Sequence, residues 1–411
     1  MDARRAAEAA ARASYGRLIA YLSARCRDVA AAEDALGDAL RAALETWPRD
    51  GVPARPEAWL LTTARRRLID RMRREQARDA AAETLRLIAE QASPERDRFP
   101  DDRLKLLFVC AHPAIDPAAR TPLMLQAVLG LDAARIASAF LVAPATMGQR
   151  LVRAKAKIRD AAIPFEVPEP AELGGRLAAV LEAIYAAYGA GWEDVAGADP
   201  RRADLVEEAI WLARLAVELL PDEPEAKGLL ALLLHCEARR PARRGADGRF
   251  VPLSEQDVRL WRRPMMAEAE RWLAAASAAG HIGRYQLEAA IQSAHAERAR
   301  SGQVDWAAIV HLYDGLAIVA PSVGALLGRA AALAQTGDPQ AALAAIDAVS
   351  QEVVATHQPF WALRAHLLRR LGRTDEAMLA YERAIGLTED PAVRDFLLDR
   401  MTTGSNGAPA R

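Results

Sequence analysis

Apolar residues recur at three- and four-residue spacing along almost the whole chain of 411 residues, the period of helices that bury one face, and alternation with period two is nearly missing. This pattern predicts an all-α fold. Prolines and glycines cut it into pieces. The loop from Trp47 to Pro56 separates two helices, and a mixed-charge stretch over 76–100, closing with Ser93-Pro94 and Phe99-Pro100, reads as a partly helical linker. The segment Ile163-Pro164-Phe165-Glu166-Val167-Pro168-Glu169-Pro170 stops the periodicity again. These breaks predict a helical domain over 1–75, the linker over 76–100, a second small helical domain over 101–165, and a larger helical domain over 171–402.

The last of these repeats itself. Leu326, Ala330, Gly337, Ala342 and Ile346 are matched 35 residues later by Trp361, Ala365, Gly372, Ala377 and Tyr381. Small residues at such places let paired helices approach closely, with a glycine in the turn between them, as in tetratricopeptide repeats.

Two segments combine an apolar stripe with a basic one. In Pro56–Arg74, Leu61, Ala64, Leu68 and Met72 share a helix face while Arg67, Arg71 and Arg74 fall on another; Arg65, Arg66 and Arg73 add to the charge. Trp59 stands at the helix start, where an aromatic ring could stack on an unpaired base. Taken alone, the segment also fits a packed tryptophan with a solvated row of arginines. In the second segment, Leu131–Phe140 and Ala145–Ile158 flank a turn at Leu141-Val142-Ala143-Pro144. Met147, Leu151, Ala154 and Ile158 make the apolar stripe, and Arg150, Arg153 and Lys157 the basic one. This is the arrangement of a helix-turn-helix whose second helix enters a major groove, or of an ordinary helical hairpin with a basic exposed face.

Charge changes the picture more than composition does. Residues 1–165 carry 28 Lys+Arg against 21 Asp+Glu, and the remainder carries 26 against 34. A basic N-terminal part suggests a polyanionic partner there and different work in the acidic remainder. Arg239-Arg240-Pro241-Ala242-Arg243-Arg244-Gly245 is a basic run within the acidic part, read first as solvated loop and second as a further nucleic-acid contact. Cys26, Cys110 and Cys236 are far apart and predict free thiols in a reducing cytoplasm. Cys110 with His112, or His235 with Cys236, lacks partners at zinc-like spacing, so no metal or other cofactor is expected. No phosphate loop or nucleophile motif points to an enzyme. No apolar run is long enough to predict a membrane span.

With these motifs in place, the chain resembles the extracytoplasmic-function sigma factors, and within them a subgroup with a C-terminal tetratricopeptide-like extension. Ala32–Leu40 resembles the segment that docks on the polymerase clamp, Trp59–Arg74 the reader of the promoter −10 element, and Leu131–Ile158 the reader of the −35 element. Phe108–Ile115 and Ile163–Pro168 resemble signatures of the subgroup. The resemblance implies core RNA polymerase and promoter DNA as partners. It implies polymerase contacts from Glu33, Asp34, Leu36, Asp38 and Leu40, and −10 contacts from Trp59, Arg65, Arg66, Arg67, Arg71, Arg73 and Arg74. At −35 it implies Thr146, Gln149, Arg150 and Arg153 in the groove, with Lys155 and Lys157 near phosphate. The repeat domain is then a regulatory part with an intramolecular or protein partner. Gly37 and Asp38 stand where the family usually has glutamine and glutamate, Arg66 where many members have asparagine, and Gly148 where lysine is frequent. The rival class is a tetratricopeptide interaction scaffold without polymerase; binding of core polymerase separates the two.

Overall fold

The computed structural model describes residues 3–76, 101–140, 142–192 and 200–403, which are helical almost throughout, with one isolated antiparallel bridge between Arg244 and Phe250 and no strand among them. The linker expected over 76–100 lies, apart from Gln76, outside the described residues. Helix contacts divide the chain into two units, residues 1–193 with 200–209 and residues 194–199 with 210–411.

In the first unit, α1 (Ala3–Cys26), α2 (Val29–Asp50) and α3 (Pro56–Gln76) pack on one another. Asp28 starts α2 by accepting from the Ala31 N–H at 3.1 Å. The helix then runs through Pro48, three residues beyond the expected loop start at Trp47, because the ring removes only one backbone bond so near the end. Gly51, at φ 85°, closes it by donating to the Trp47 carbonyl.

Next come α4 (Arg103–Cys110), α5 (Pro117–Leu129), α6 (Ala133–Ala139) and α7 (Pro144–Asp160). Helix α5 begins with Asp116 capping the Ala118 N–H and Pro117 at its first turn, and ends on left-handed Gly130. Its neighbour is α1, which packs on both α4 and α5. A side chain at Gly16 would run into the Val128 carbonyl, so the two helices approach at backbone distance there. Leu18, Ile19 and Leu22 of α1 and Leu106, Leu107, Phe108 and Leu123 of α4 and α5 are fully buried.

Helix α8 (Pro170–Trp192) also belongs to this unit, against the expectation that a new domain begins at 171. Arg176 donates to the Phe108 carbonyl at 2.9 Å and the Thr121 hydroxyl to the Ala183 carbonyl at 3.2 Å. Prolines 164, 168 and 170 end one helix and start another; a helix break is not by itself a domain boundary.

Helix α9 (Pro200–Leu219) carries the division at 209 and 210, and the second unit is built on α10 (Pro224–Ala238), which is buried along most of its length and whose run Leu229–Leu234 is apolar on all sides. It lies against α11 (Arg263–Ser277) and α12 (Arg284–Ala296). Glu225 of α10 accepts from the Tyr285 and Gln286 N–H groups at 2.9 and 3.1 Å, capping the start of α12 with a charge. Helices α13 (Trp306–Val319) to α18 (Pro391–Thr403) follow as successive neighbours. The pair α14 (Val323–Gln335) and α15 (Pro339–Asp347) and the pair α16 (Gln358–Arg370) and α17 (Thr374–Leu387) start 35 residues apart, at 323 and 358 and at 339 and 374. Gly337 and Gly372, both at positive φ, sit in equivalent turns, and the matched Ala330, Ala365, Ala342 and Ala377 are buried in one core.

Candidate polymerase and nucleic-acid interface

Helix α3 is fixed by Leu60, Ala64 and Leu68, which are buried at four-residue spacing. That anchoring turns Arg66, Arg67 and Arg73 outward, where they are exposed, while Arg65 and Arg71 are partly covered. Arg71 reaches Asp34 of α2 at 2.5 Å. Arg74 lies near the helix end with its side chain outside the described residues. Trp59 is partly buried, edge to face with buried Trp47 at 5.4 Å. The tryptophan is thus a packing residue whose ring keeps part of its surface uncovered.

Helix α7 is anchored by Met147, Leu151, Ala154 and Ile158. Thr146, Gln149, Arg153 and Lys157 are exposed together on the side away from that stripe. Arg150 is partly covered, with Nη1 donating to the Ala118 carbonyl at 3.3 Å, and Arg153 leans along its own helix toward the Gln149 carbonyl.

Lys155 does not join this face. Two residues beyond Arg153 it points about 160° away around the helix, and it is paired with Glu33 of α2, the two side chains 11% and 17% exposed. Burial raises the Glu33 carboxyl above the ordinary carboxylate range, and Lys155 opposes that rise. Arg159, one turn on, comes within 3.9 Å of Asp28. The α7 side expected to lie near phosphate at residue 155 is therefore turned onto α2.

On α2 the expected polymerase contacts separate. Leu36 is 1% exposed and belongs to the core, so the sequence assignment is corrected: its apolar side chain packs inward between acidic neighbours. Asp34 is exposed and paired with Arg71, Asp38 is partly exposed and bonded to Arg41 at 2.9 Å, and Leu40 is partly exposed. The residues that sequence reasoning missed are Arg25 and Asp102, joined at 3.1 Å, and the Asp28–Arg159 contact. Charge sign alone could have suggested such pairs, but nothing in their spacing selects them.

The remaining candidates are structural. Cys110 is fully buried, and His112 uses Nδ1 to accept from the Ala114 N–H at 3.1 Å. Among the described residues no cluster of three or more His, Cys, Asp or Glu side chains could hold a metal, and no helix is long and apolar enough to cross a membrane. The basic run 239–245 is tied down: Arg239 is 8% exposed, Arg240 pairs with Glu237, and Arg244 pairs with Asp390 at 2.8 Å.

Comparison with known proteins finds family matches for two stretches of the chain. Residues 11–78, covering α1 to α3, match the family described as Sigma-70 region 2, and residues 176–277 match a family of unknown function (DUF6596). The chain is 40% identical over 392 residues to the uncharacterized protein R00370 of Rhizobium meliloti (strain 1021), covering 93% of this chain and 91% of that protein. A region-2 unit at the N-terminus followed by this helical extension places the chain in the sigma-70 family, among the extracytoplasmic-function-like sigma factors, a family that is not one of enzymes and whose role is to bind RNA polymerase and recognise promoters.

Proposed function

We propose that the chain directs core RNA polymerase to promoters through two separate DNA-contacting faces, α3 at the −10 element and α7 at the −35 element, and acts in the cytoplasm. The observation that carries this reading is the outward set Arg66, Arg67 and Arg73 beside Trp59, inside the segment that matches region 2. Guanidinium groups on that face neutralise phosphates without reading sequence, and an aromatic edge captures a base as the duplex opens. On α7, Thr146, Gln149, Arg150 and Arg153 reach base edges and Lys157 holds the backbone, in the manner of the second helix of a helix-turn-helix. Glu33, Asp34, Asp38 and Leu40 of α2 meet the polymerase.

Glu33 is held by Lys155 of α7, so its carboxylate meets the polymerase only when α7 and α2 part, while the exposed face of α7 stays open to DNA. The tetratricopeptide-like second unit is the regulatory part; its stacked helix pairs suit a protein partner. The test is permanganate footprinting of promoter melting by polymerase with the full chain. Exchanging Arg66, Arg67 and Arg73 for glutamine keeps helix propensity nearly constant; melting is expected to fall while polymerase binding survives. Unchanged melting removes α3 from the DNA interface.

A further inference from the structure

The second unit contains a cavity of about 490 Å³, within the size range of small-molecule sites. One wall comes from the stretch matching the family of unknown function, through Leu253, Ser254 and Trp261; the other comes from the helices that follow, through His295, Arg298, Trp306 and Tyr313. Small residues, among them Gly302, Gly328, Ala331 and Ala332, also line it. His295 and Trp306 meet edge to face at 5.4 Å. A side chain at Gly328 would collide with the Tyr313 ring and hydroxyl, so the glycine makes the seat for that ring.

The charge around this cavity does not balance. Arg298 stands 5.2 Å and Arg239 6.0 Å from the centre of the Trp261 ring, placing two guanidinium groups on one indole. Arg298 donates to the Ser254 and Gln256 carbonyls, both at 2.7 Å, and Arg239 to the Gln292 side chain. These partners are neutral. No carboxylate among the described residues forms an ion pair with either arginine, and Glu288, the carboxylate felt by Tyr313, is already paired with Arg284 at 2.8 Å. Arg239 is more than nine-tenths buried, and its Nε and Nη1, together with the Nε1 of Trp261, are buried donors without an acceptor. The buried Arg239 cation and the unused donors beside it are costly unless an anion joins them, and the partly exposed Arg298 adds a second positive charge that such an anion reaches from solvent. His295 does not add a third charge: burial and the two arginines hold it neutral, down at about 4.

We infer that this cavity binds a small planar aromatic carboxylate, its ring between Trp306, Tyr313 and Trp261 and its carboxylate toward Arg298, with Arg239, which does not line the cavity but lies 6.0 Å from the centre of the Trp261 ring, adding to the positive field. The inference goes beyond the sigma role and stands without it. Isothermal titration calorimetry of the full chain at pH 7.5 tests it with benzoate, phenylacetate, 2-naphthoate and indole-3-acetate, each beside its uncharged amide. At least one acid is expected to bind at least tenfold more tightly than its amide. Ala331→Phe, which fills the cavity and leaves both arginines in place, is expected to abolish that binding. Arg298→Gln is expected to remove the preference for acid over amide; if it fails to fold, Ala331→Phe still decides. Binding by none of the four acids, equal binding of acid and amide, or unchanged binding by folded Ala331→Phe overturns the proposal.

Discussion

Replacing Lys155 with methionine keeps most of its volume and removes its charge, leaving the Glu33 carboxylate in its covered position with no cation beside it. An exposed ion pair contributes about 0–1 kcal/mol, and removing one partner of a buried pair costs about 3–5 kcal/mol. With side chains 11% and 17% exposed, the Lys155–Glu33 pair falls between these limits, and a loss of about 2 kcal/mol follows. Since tenfold corresponds to about 1.4 kcal/mol, helix α7 should leave α2 roughly thirtyfold more often. Hydrogen–deuterium exchange of the full chain reads this as faster exchange over 144–160 and over the facing part of 29–50. The double variant Lys155→Met with Glu33→Gln buries no unpaired charge and should return most of the protection. Lys157→Met, on the exposed face, should change nothing. If Lys155→Met exchanges like the parent protein, or the double variant is no better than the single one, the ion pair does not hold α7 closed.

Other consequences are as direct. Leu36→Ala should cost about 2–5 kcal/mol in thermal or denaturant unfolding, the cost of a core cavity, whereas Asp38→Ala should leave stability nearly unchanged and act on polymerase affinity alone. Arg153→Ala should cost about 1–3 kcal/mol on a matched −35 element and less on a mutated one, while Lys157→Ala should weaken all templates alike and lower the salt slope by about one unit; gel-shift titrations over a salt series separate the two. His295 is held neutral down to about 4, against about 6.5 in an unfolded chain. The unfolded state therefore takes up the proton first as pH falls, and the stabilisation present above about 6.5 is lost between there and about 4, on the order of 3 kcal/mol. Unfolding midpoints from pH 7.5 to 4.5 should show this slope, and His295→Gln should remove its share.

The helical fold was legible because each helix buries one stripe, so Met147, Leu151, Ala154 and Ile158 announce both the helix and its buried side. The 35-residue recurrence was legible for a similar reason: Gly337 and Gly372 serve the same turn and Ala330 and Ala365 the same close approach. Proline misled at 164–170, since it reports where a helix cannot continue and says nothing about what the next helix packs against; Arg176 and Thr121 decide that through tertiary bonds to Phe108 and Ala183. Residue type misled at Lys155, grouped with its basic neighbours although its angular position places it on another side, and at Leu36, whose acidic neighbours hid a core position. Nothing local could reveal the aromatic cavity, because Trp261, Arg298, Trp306 and Tyr313 are separated along the chain and meet only in the folded unit.

The central claim is that this chain is the promoter-recognition subunit of an RNA polymerase. It is tested most directly by transcribing purified genomic DNA in vitro with core polymerase, with and without the full chain, and mapping the 5′ ends of the transcripts. The account predicts new start sites only when the chain is present, preceded by a shared pair of elements at −35 and −10, and reduced in number by the Arg66, Arg67 and Arg73 to glutamine exchange. An unaltered set of 5′ ends, together with no association between the chain and core polymerase, would contradict it.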